Sequence, residues 1–201
     1  MRPGNLSFAA VVLAGLALVA APVHARPRFS LAAGTAFAGN GDPGTGGAAL
    51  AAGIAFPVEG PWSFGVRGFV DDHGTSRIEL RDPNDGTPLG RVGDAHRWTY
   101  GAEWVGAYAL RNTKRTEWSW TAGFGYGHQE LDQRGEIRGA VSGITFSTGT
   151  TYLVPLANGH RVGISLLWRG LAVSRDSDAG RTTQGTVAAL EWQWQGAPKD
   201  R

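Results

Sequence analysis

The sequence predicts an all-β protein, an eight-stranded antiparallel up-and-down transmembrane β-barrel. Three observations support this fold class: the composition, a two-residue alternation of side chains over eight segments, and connections that alternate between short and long. Glycine supplies 31 of the 201 residues and tryptophan 8, while the single Met is Met1. A chain rich in glycine and aromatic residues but poor in helix formers is typical of strands and turns.

The alternation places large apolar side chains on one face of each strand and small or polar ones on the other. It is clearest from Trp98 to Leu110, Trp118 to Tyr126, Val162 to Arg169 and Ala188 to Gln195. Weaker versions of the pattern occupy the first part of the chain and the segment around Phe146. The predicted strands are 29–38, 47–56, 62–72, 96–110, 117–129, 140–154, 161–173 and 184–195. Their number is even, as single-chain bacterial membrane barrels require.

The connections between these strands alternate in length, which also favours a membrane barrel. Outer-membrane barrels have short periplasmic turns and longer outer loops. The short connections are 57–61, 112–116 and 157–160, and the mostly longer ones are 39–46, 73–95, 130–139 and 174–183. With the N-terminus on the periplasmic side, every short connection falls on that side.

The 73–95 connection is predicted to be structured. Ile78 and Leu80 alternate with charged residues, and the run from Asp82 to Gly86 is a strong hairpin signal. We therefore expect strands three and four to continue beyond the membrane as a protruding ribbon.

Three segments are expected along the chain: a signal peptide at 1–25, a barrel at 26–195 and a short C-terminal tail at 196–201. The first has an early cation at Arg2, an apolar run and a small-residue ending at Ala25, which suit signal peptidase. About 14 apolar residues fall short of the roughly 20 that a spanning helix needs. Cleavage near Ala25 would leave 176 of the 201 residues for export to the bacterial outer membrane.

Charge and cysteine content exclude several classes of function. Removing Arg2 with the signal peptide leaves 18 Lys and Arg against 17 Asp and Glu, and no basic patch indicates nucleic-acid binding. Cysteine is absent, which excludes disulfides, thiolate chemistry and cysteine-ligated metals. No cofactor or metal is expected.

The arrangement of the two faces indicates which one meets lipid. In a soluble barrel, large apolar side chains point inward around a ligand and charges point outward. Here the large residues are opposed by Gly, Ala, Ser and Thr, so turning them inward would leave almost no Lys or Glu outside. A lipid-facing exterior fits better, and a soluble periplasmic ligand-binding barrel of the lipocalin type is the alternative.

Aromatic residues are predicted to form girdles at both membrane interfaces. The periplasmic girdle is Phe29, Phe56, Trp62, Tyr108, Trp118, Tyr152 and Trp194. The outer girdle is Phe37, Trp98, Tyr126 and Trp168.

On this pattern the chain resembles the small eight-stranded outer-membrane barrels of the OmpA and OmpX type over essentially its whole mature length. The resemblance implies outer-membrane lipid as surroundings and the barrel-assembly machinery as a partner during biogenesis. Those barrels usually end on an aromatic residue, whereas here six residues follow Gln195. We expect Leu190, Trp192 and Trp194 to serve as an internal assembly signal.

Four charges fall on the predicted inward face. Arg67 and Glu103 lie on strands three and four, and Arg169 and Glu191 lie on strands seven and eight. Opposite charges in a narrow lumen are expected to pair, and side chains fill an eight-stranded interior. The charge pairs are therefore predicted to plug the lumen, with a gated small-ion path as the alternative.

Other candidate sites have structural explanations. Asp71, Asp72 and His73 are assigned to a polar outer rim rather than to catalysis or a metal. His128 and Glu130 suggest a lipid-modifying barrel enzyme, but no His and Ser motif accompanies them, so no enzymatic activity is predicted. Glycine-rich 39–44 and the acidic tip at 82–85 are assigned to loops rather than to nucleotide or Ca²⁺ sites.

The leading functional hypothesis is an integral outer-membrane barrel with a structural or surface-interaction role. Its extracellular partner cannot be read from the sequence.

Overall fold

A computed structural model shows a closed antiparallel barrel of eight strands, as predicted. It describes residues 26–38, 46–81, 88–132, 138–173 and 183–195. Side chains are described for these ranges except at 38, 76–81, 88–95, 131–132, 138–139, 173 and 183.

Several predicted features lie outside the described residues. They are the signal peptide 1–25, the glycine-rich loop 39–44, the hairpin tip 82–86 and the tail 196–201.

The eight strands match the predicted segments closely. Each pairs with its sequence neighbours, and β1 pairs with β8 from Arg28↔Gln195 to Ala38↔Gly185, which closes the barrel. Closure supplies hydrogen-bond partners along both edges of every strand within the barrel wall, and that is what hydrocarbon surroundings require. The strands are β1 Arg28–Ala38, β2 Gly47–Pro57, β3 Trp62–Arg81, β4 Pro88–Asn112, β5 Glu117–Asp132, β6 Arg138–Pro155, β7 His160–Val173 and β8 Thr183–Gln195.

β3 and β4 are longer than the other strands and form the predicted ribbon. Their pairing continues to Arg81↔Pro88, whereas β2 pairs with β3 only as far as Ala49↔Asp71. A register shift between Asp72 and Thr75 marks the point where the ribbon leaves the barrel wall. We call this end of the barrel the ribbon end.

The opposite end carries three tight turns, and we call it the turn end. Thr113 N donates to Thr116 O at 2.8 Å, and Leu156 N donates to His160 O at 2.7 Å across a single 3-10 turn. Asn158 has φ 59° and Gly60 has φ 81°, a left-handed conformation that asparagine and glycine tolerate best. These turns are short because the two strands that each turn joins end side by side.

The two faces of the wall differ as the alternation predicted. Large apolar side chains point outward, while the inward face is mostly small or polar, with Phe69, Leu153 and Leu171 among its buried apolar residues. Within the described ranges, no helix is long and apolar enough to cross a membrane.

The ribbon pairs within itself, so the barrel should fold without it. Replacing 77–94 with Asn-Gly, which joins the register partners Ser76 and Ala95 by a two-residue turn, should leave the melting temperature within a few degrees of wild type. The control joins Gly68 to Ala102 through the same turn and removes residues that pair with β2 and β5. Circular dichroism in lipid should show a folded first variant and an unfolded control. Failure of the first variant to fold would show that the ribbon supports the barrel.

Candidate functional site

The first candidate site is a cluster of ion pairs across the lumen. Glu103 on β4 accepts from Arg67 Nη2 at 2.8 Å, from Ser147 Oγ at 2.9 Å and from Arg169 Nε at 3.2 Å. Arg169 on β7 also donates to Asp71 on β3. β3 and β7 are opposite each other in an eight-stranded barrel, so this cluster bridges the lumen from wall to wall.

Small residues around this cluster leave the room that it needs. Gly123 on β5 faces it, and a Cβ there would lie 2.7 Å from Ser147 Oγ and 3.4 Å from Glu103 Oε2. The Arg169 guanidinium carbon lies 3.7 Å from the centroid of the Phe69 ring, a cation–π contact. Glycine on the wall therefore permits long charged side chains inside.

A second cluster lies near the turn end, and sequence reasoning missed it. Glu117 at the start of β5 accepts from Arg28 Nη1 of β1 at 3.0 Å and from Arg161 of β7. β1 and β5 are also opposite each other, so this cluster crosses the lumen too. The signal was present, because each of the three residues is followed directly by an outward residue and so has inward parity.

The structure forms one of the two expected charge pairs and not the other. Arg67 is the direct register partner of Glu103. Arg169 contacts Glu103 and Asp71 rather than Glu191, whose carboxylate accepts from Gln193 Nε2 at 2.8 Å and from Thr151 Oγ at 3.4 Å. Glu191 is opposite Gly163, six positions along β7 from Arg169, or about 20 Å at the strand rise. Two charged residues on neighbouring strands do not pair when the strand register places them at different heights in the barrel.

Asp71 and His73 lie at the ribbon end, where a polar outer rim was expected, but their side chains face the lumen and are buried. Asp71 is 1% exposed and His73 is 7% exposed, and both have inward parity on β3. Asp72, between them, points the other way, with its Oδ1 2.8 Å from His96 Nε2. Because residues 71–73 are all polar, the sequence did not show that β3 continues through them with the same alternation of inward and outward side chains.

A cavity of about 100 Å³ extends between the two clusters. The hydroxyls of Thr121 and Ser165 and the Gln193 Oε1 are buried without a protein partner, and all three residues line it. A volume of this size holds a few water molecules, which could satisfy these atoms. The lumen thus holds two clusters of charged residues with a small cavity between them.

The structure places six of the seven residues of the predicted periplasmic girdle in adjacent pairs near the turn end. Phe29 and Trp194 are register partners with ring centroids 5.6 Å apart, and Trp62 and Tyr108 are partners at 4.8 Å. The remaining members of the predicted girdle are Phe56, Trp118 and Tyr152, of which the last two are also register partners.

Two exposed indoles on this surface have hydrogen-bond partners within the protein. Trp118 Nε1 donates to Thr150 Oγ, and Trp120 Nε1 donates to Thr148 Oγ at 3.1 Å. These bonds satisfy two indole N–H groups on a face where hydrocarbon would offer them no partner.

A polar cluster on the outer surface near the ribbon end is the third candidate site. Ser142 Oγ on β6 lies 2.7 Å from His128 Nδ1 on β5, and His128 Nε2 lies 3.8 Å from Glu130 Oε1. Tyr100 on β4 donates its hydroxyl to Glu130 at 3.0 Å. We call these four residues the ribbon-end cluster. The sequence showed no His and Ser motif because Ser142 is brought to His128 by cross-strand register.

The fold is similar to that of known membrane barrels. Neisserial surface protein A matches with a TM-score of 0.55 at 12% identity, covering 84% of this chain and 96% of that one. The chain has the fold of the small eight-stranded outer-membrane barrels.

Two further solved structures also match. A major outer-membrane protein of Thermus thermophilus has a TM-score of 0.49 at 13% identity, covering 84% of this chain and 98% of that one. The N-terminal barrel domain of OprF from Pseudomonas aeruginosa has a TM-score of 0.49 at 9% identity, covering 86% and 99%. No family model and no curated protein matches the chain in sequence.

Glu103 should contribute more to stability than a charge on the ribbon. Glu103→Ala removes the carboxylate that Arg67 contacts and one of the two carboxylates that contact the buried Arg169, and should cost about 3–5 kcal/mol of unfolding free energy. Glu79→Ala, on the ribbon, should change it by less than about 0.5 kcal/mol. Denaturant unfolding in lipid vesicles measures both values. Equal midpoints for the two variants would contradict a stabilising role for the lumen cluster.

A double-mutant cycle should separate the observed pairing from the expected one. Arg169→Met combined with Glu103→Gln should show a coupling energy above about 1 kcal/mol, since the side chains are in contact. Arg169→Met combined with Glu191→Gln should show less than about 0.5 kcal/mol, because the residues are distant. A larger coupling energy for Arg169 with Glu191 than for Arg169 with Glu103 would mean that Arg169 pairs with Glu191 in lipid.

Proposed function

We propose that this chain is an integral outer-membrane barrel with a structural or surface-interaction role and a lumen plugged by charged residues. The observation that carries the proposal is the exposed apolar exterior around a polar interior. Leu190 is 68% exposed, Phe124 65% and Ile144 62%, while Glu103 and Asp71 are buried. Such a wall is stable against hydrocarbon, whereas water would favour the opposite arrangement.

The interior argues against a soluble ligand-binding barrel. Small-molecule sites usually offer about 300–1,000 Å³ of mostly apolar space. The cavity here is about 100 Å³, and ion pairs lie at both of its ends. An apolar ligand would have to displace Arg169 or Glu117 from its partners, at a high cost in desolvated charge.

The ribbon supports the surface-interaction role. β3 and β4 extend beyond the wall at the end opposite the tight turns. If the turn end faces the periplasm, the ribbon projects outward from the cell, where it could meet an extracellular partner. Export with cleavage near Ala25 and assembly through the internal signal at Leu190, Trp192 and Trp194 belong to the same proposal.

Cell fractionation with gel mobility tests the location. Membrane barrels remain folded in detergent and shift in mobility on boiling, so we expect recovery in the outer membrane with heat-modifiable migration. Recovery as a soluble periplasmic protein would overturn the proposal.

A charge placed on the apolar band tests which face meets lipid. Leu190→Arg, near the middle of β8, should cost about 2–4 kcal/mol of unfolding free energy in vesicles. Leu156→Arg, in a turn, is the control and should cost less than about 1 kcal/mol. Unfolding titrations of the two variants give the comparison. A Leu190 variant as stable as wild type would mean that this face meets water.

A further inference from the structure

The ribbon-end cluster combines the groups that an activated serine requires. A serine hydroxyl is a weak nucleophile until a neighbouring base accepts its proton, and the base in turn needs a group that fixes its tautomer. Ser142 Oγ and His128 Nδ1 are 2.7 Å apart, within hydrogen-bond distance. Glu130 lies on the far side of the imidazole, 3.8 Å from Nε2.

The geometry assigns each residue a separate role. With Nε2 protonated and directed at Glu130, Nδ1 carries the lone pair that accepts the Ser142 proton. Tyr100 holds Glu130 through its hydroxyl at 3.0 Å, and its ring centroid lies 5.2 Å from that of His128. Glu130 has to approach by less than about 1 Å to reach hydrogen-bond distance, a change typical on substrate binding.

The position of the cluster indicates the substrate class. His128 and Glu130 have the same outward parity on β5 as Phe124, which is 65% exposed. Trp98, the register partner of Glu130, is an exposed aromatic residue of the kind that marks a membrane interface. Acyl esters of lipids lie at this depth, between the headgroups and the hydrocarbon.

We propose that the ribbon-end cluster is a serine esterase site that hydrolyses an acyl ester of a membrane lipid. Ser142 Oγ attacks the ester carbonyl carbon while its proton passes to His128. The carbon–oxygen bond to the lipid alcohol then breaks, and His128 returns the proton to the departing oxygen. Water, deprotonated by His128, attacks the acyl-serine, releases the fatty acid and restores Ser142. Ester and water are converted to acid and alcohol, with no other reactant.

This activity goes beyond the proposed structural role and rests on the proposed membrane location. A second histidine at the ribbon end, His96, provides an internal comparison. His96 Nδ1 lies 3.4 Å from Thr75 Oγ, and Asp72 faces its Nε2. The longer distance and the secondary hydroxyl make Thr75 the poorer nucleophile, which gives a matched control on the same rim.

The test uses the full protein refolded in detergent micelles and treated with a fluorophosphonate, which reacts with activated serines. Peptide mass spectrometry should place the adduct on Ser142. Ser142→Ala should abolish labelling, His128→Gln should slow it at least about 100-fold, and Thr75→Ala should leave it unchanged. An unlabelled folded wild type, or equal labelling of Ser142→Ala, would overturn the proposal.

Fatty-acid release identifies the lipid. Reconstitution into phosphatidylethanolamine–phosphatidylglycerol vesicles and into lipopolysaccharide-containing vesicles should yield free acid from one of them, at a rate reduced at least about 100-fold in Ser142→Ala. Release from neither would refute a lipid ester as substrate. Heat-modifiable migration of the same samples reports the fold separately, so a folded but inactive barrel would contradict the esterase and leave the structural proposal intact.

Discussion

Closure of the backbone hydrogen-bond ladder is the constraint on which the rest of this structure depends. Hydrocarbon offers no partner to a free amide, so an open sheet edge inside a membrane costs several kcal/mol for each unpaired group. Pairing of β1 with β8 from Arg28 to Ala38 removes that edge. Once the sheet is closed with eight strands, the lumen is narrow, and every inward side chain must fit beside those of the opposite wall.

The narrow lumen explains why small and charged residues alternate inside it. Glycine and alanine on some strands leave space for the arginines of others, and two clusters then bridge opposite walls: β3 to β7 through Asp71 and Arg169, and β1 to β5 through Arg28 and Glu117. Because these charges have little access to water, each of them stabilises the fold only while its oppositely charged partner is present. The same clusters leave a cavity of only about 100 Å³, too small for a typical apolar ligand.

The chemical character of the outer surface changes from one end of the barrel to the other. An apolar band surrounds the middle of the barrel, with paired aromatic residues toward the turn end and hydrogen-bonded His, Glu, Tyr and Ser side chains toward the ribbon end. A lipid bilayer presents the same order of hydrocarbon, interface and headgroups. This correspondence is why a polar cluster such as Ser142 and His128 would meet the ester region of a lipid rather than bulk water.

The sequence by itself determined the strands, their facing and the ribbon, because a two-residue period and turn residues are local properties of the chain. It also put Arg67 and Glu103 on the inward faces of consecutive strands, and the register brings this pair together. Only the tertiary structure decided that Arg169 contacts Asp71 and Glu103, that Glu117 lies between Arg28 and Arg161, and that Ser142 contacts His128. Those contacts depend on strand register and on distances across the lumen, and neither is encoded by the alternation of any single strand.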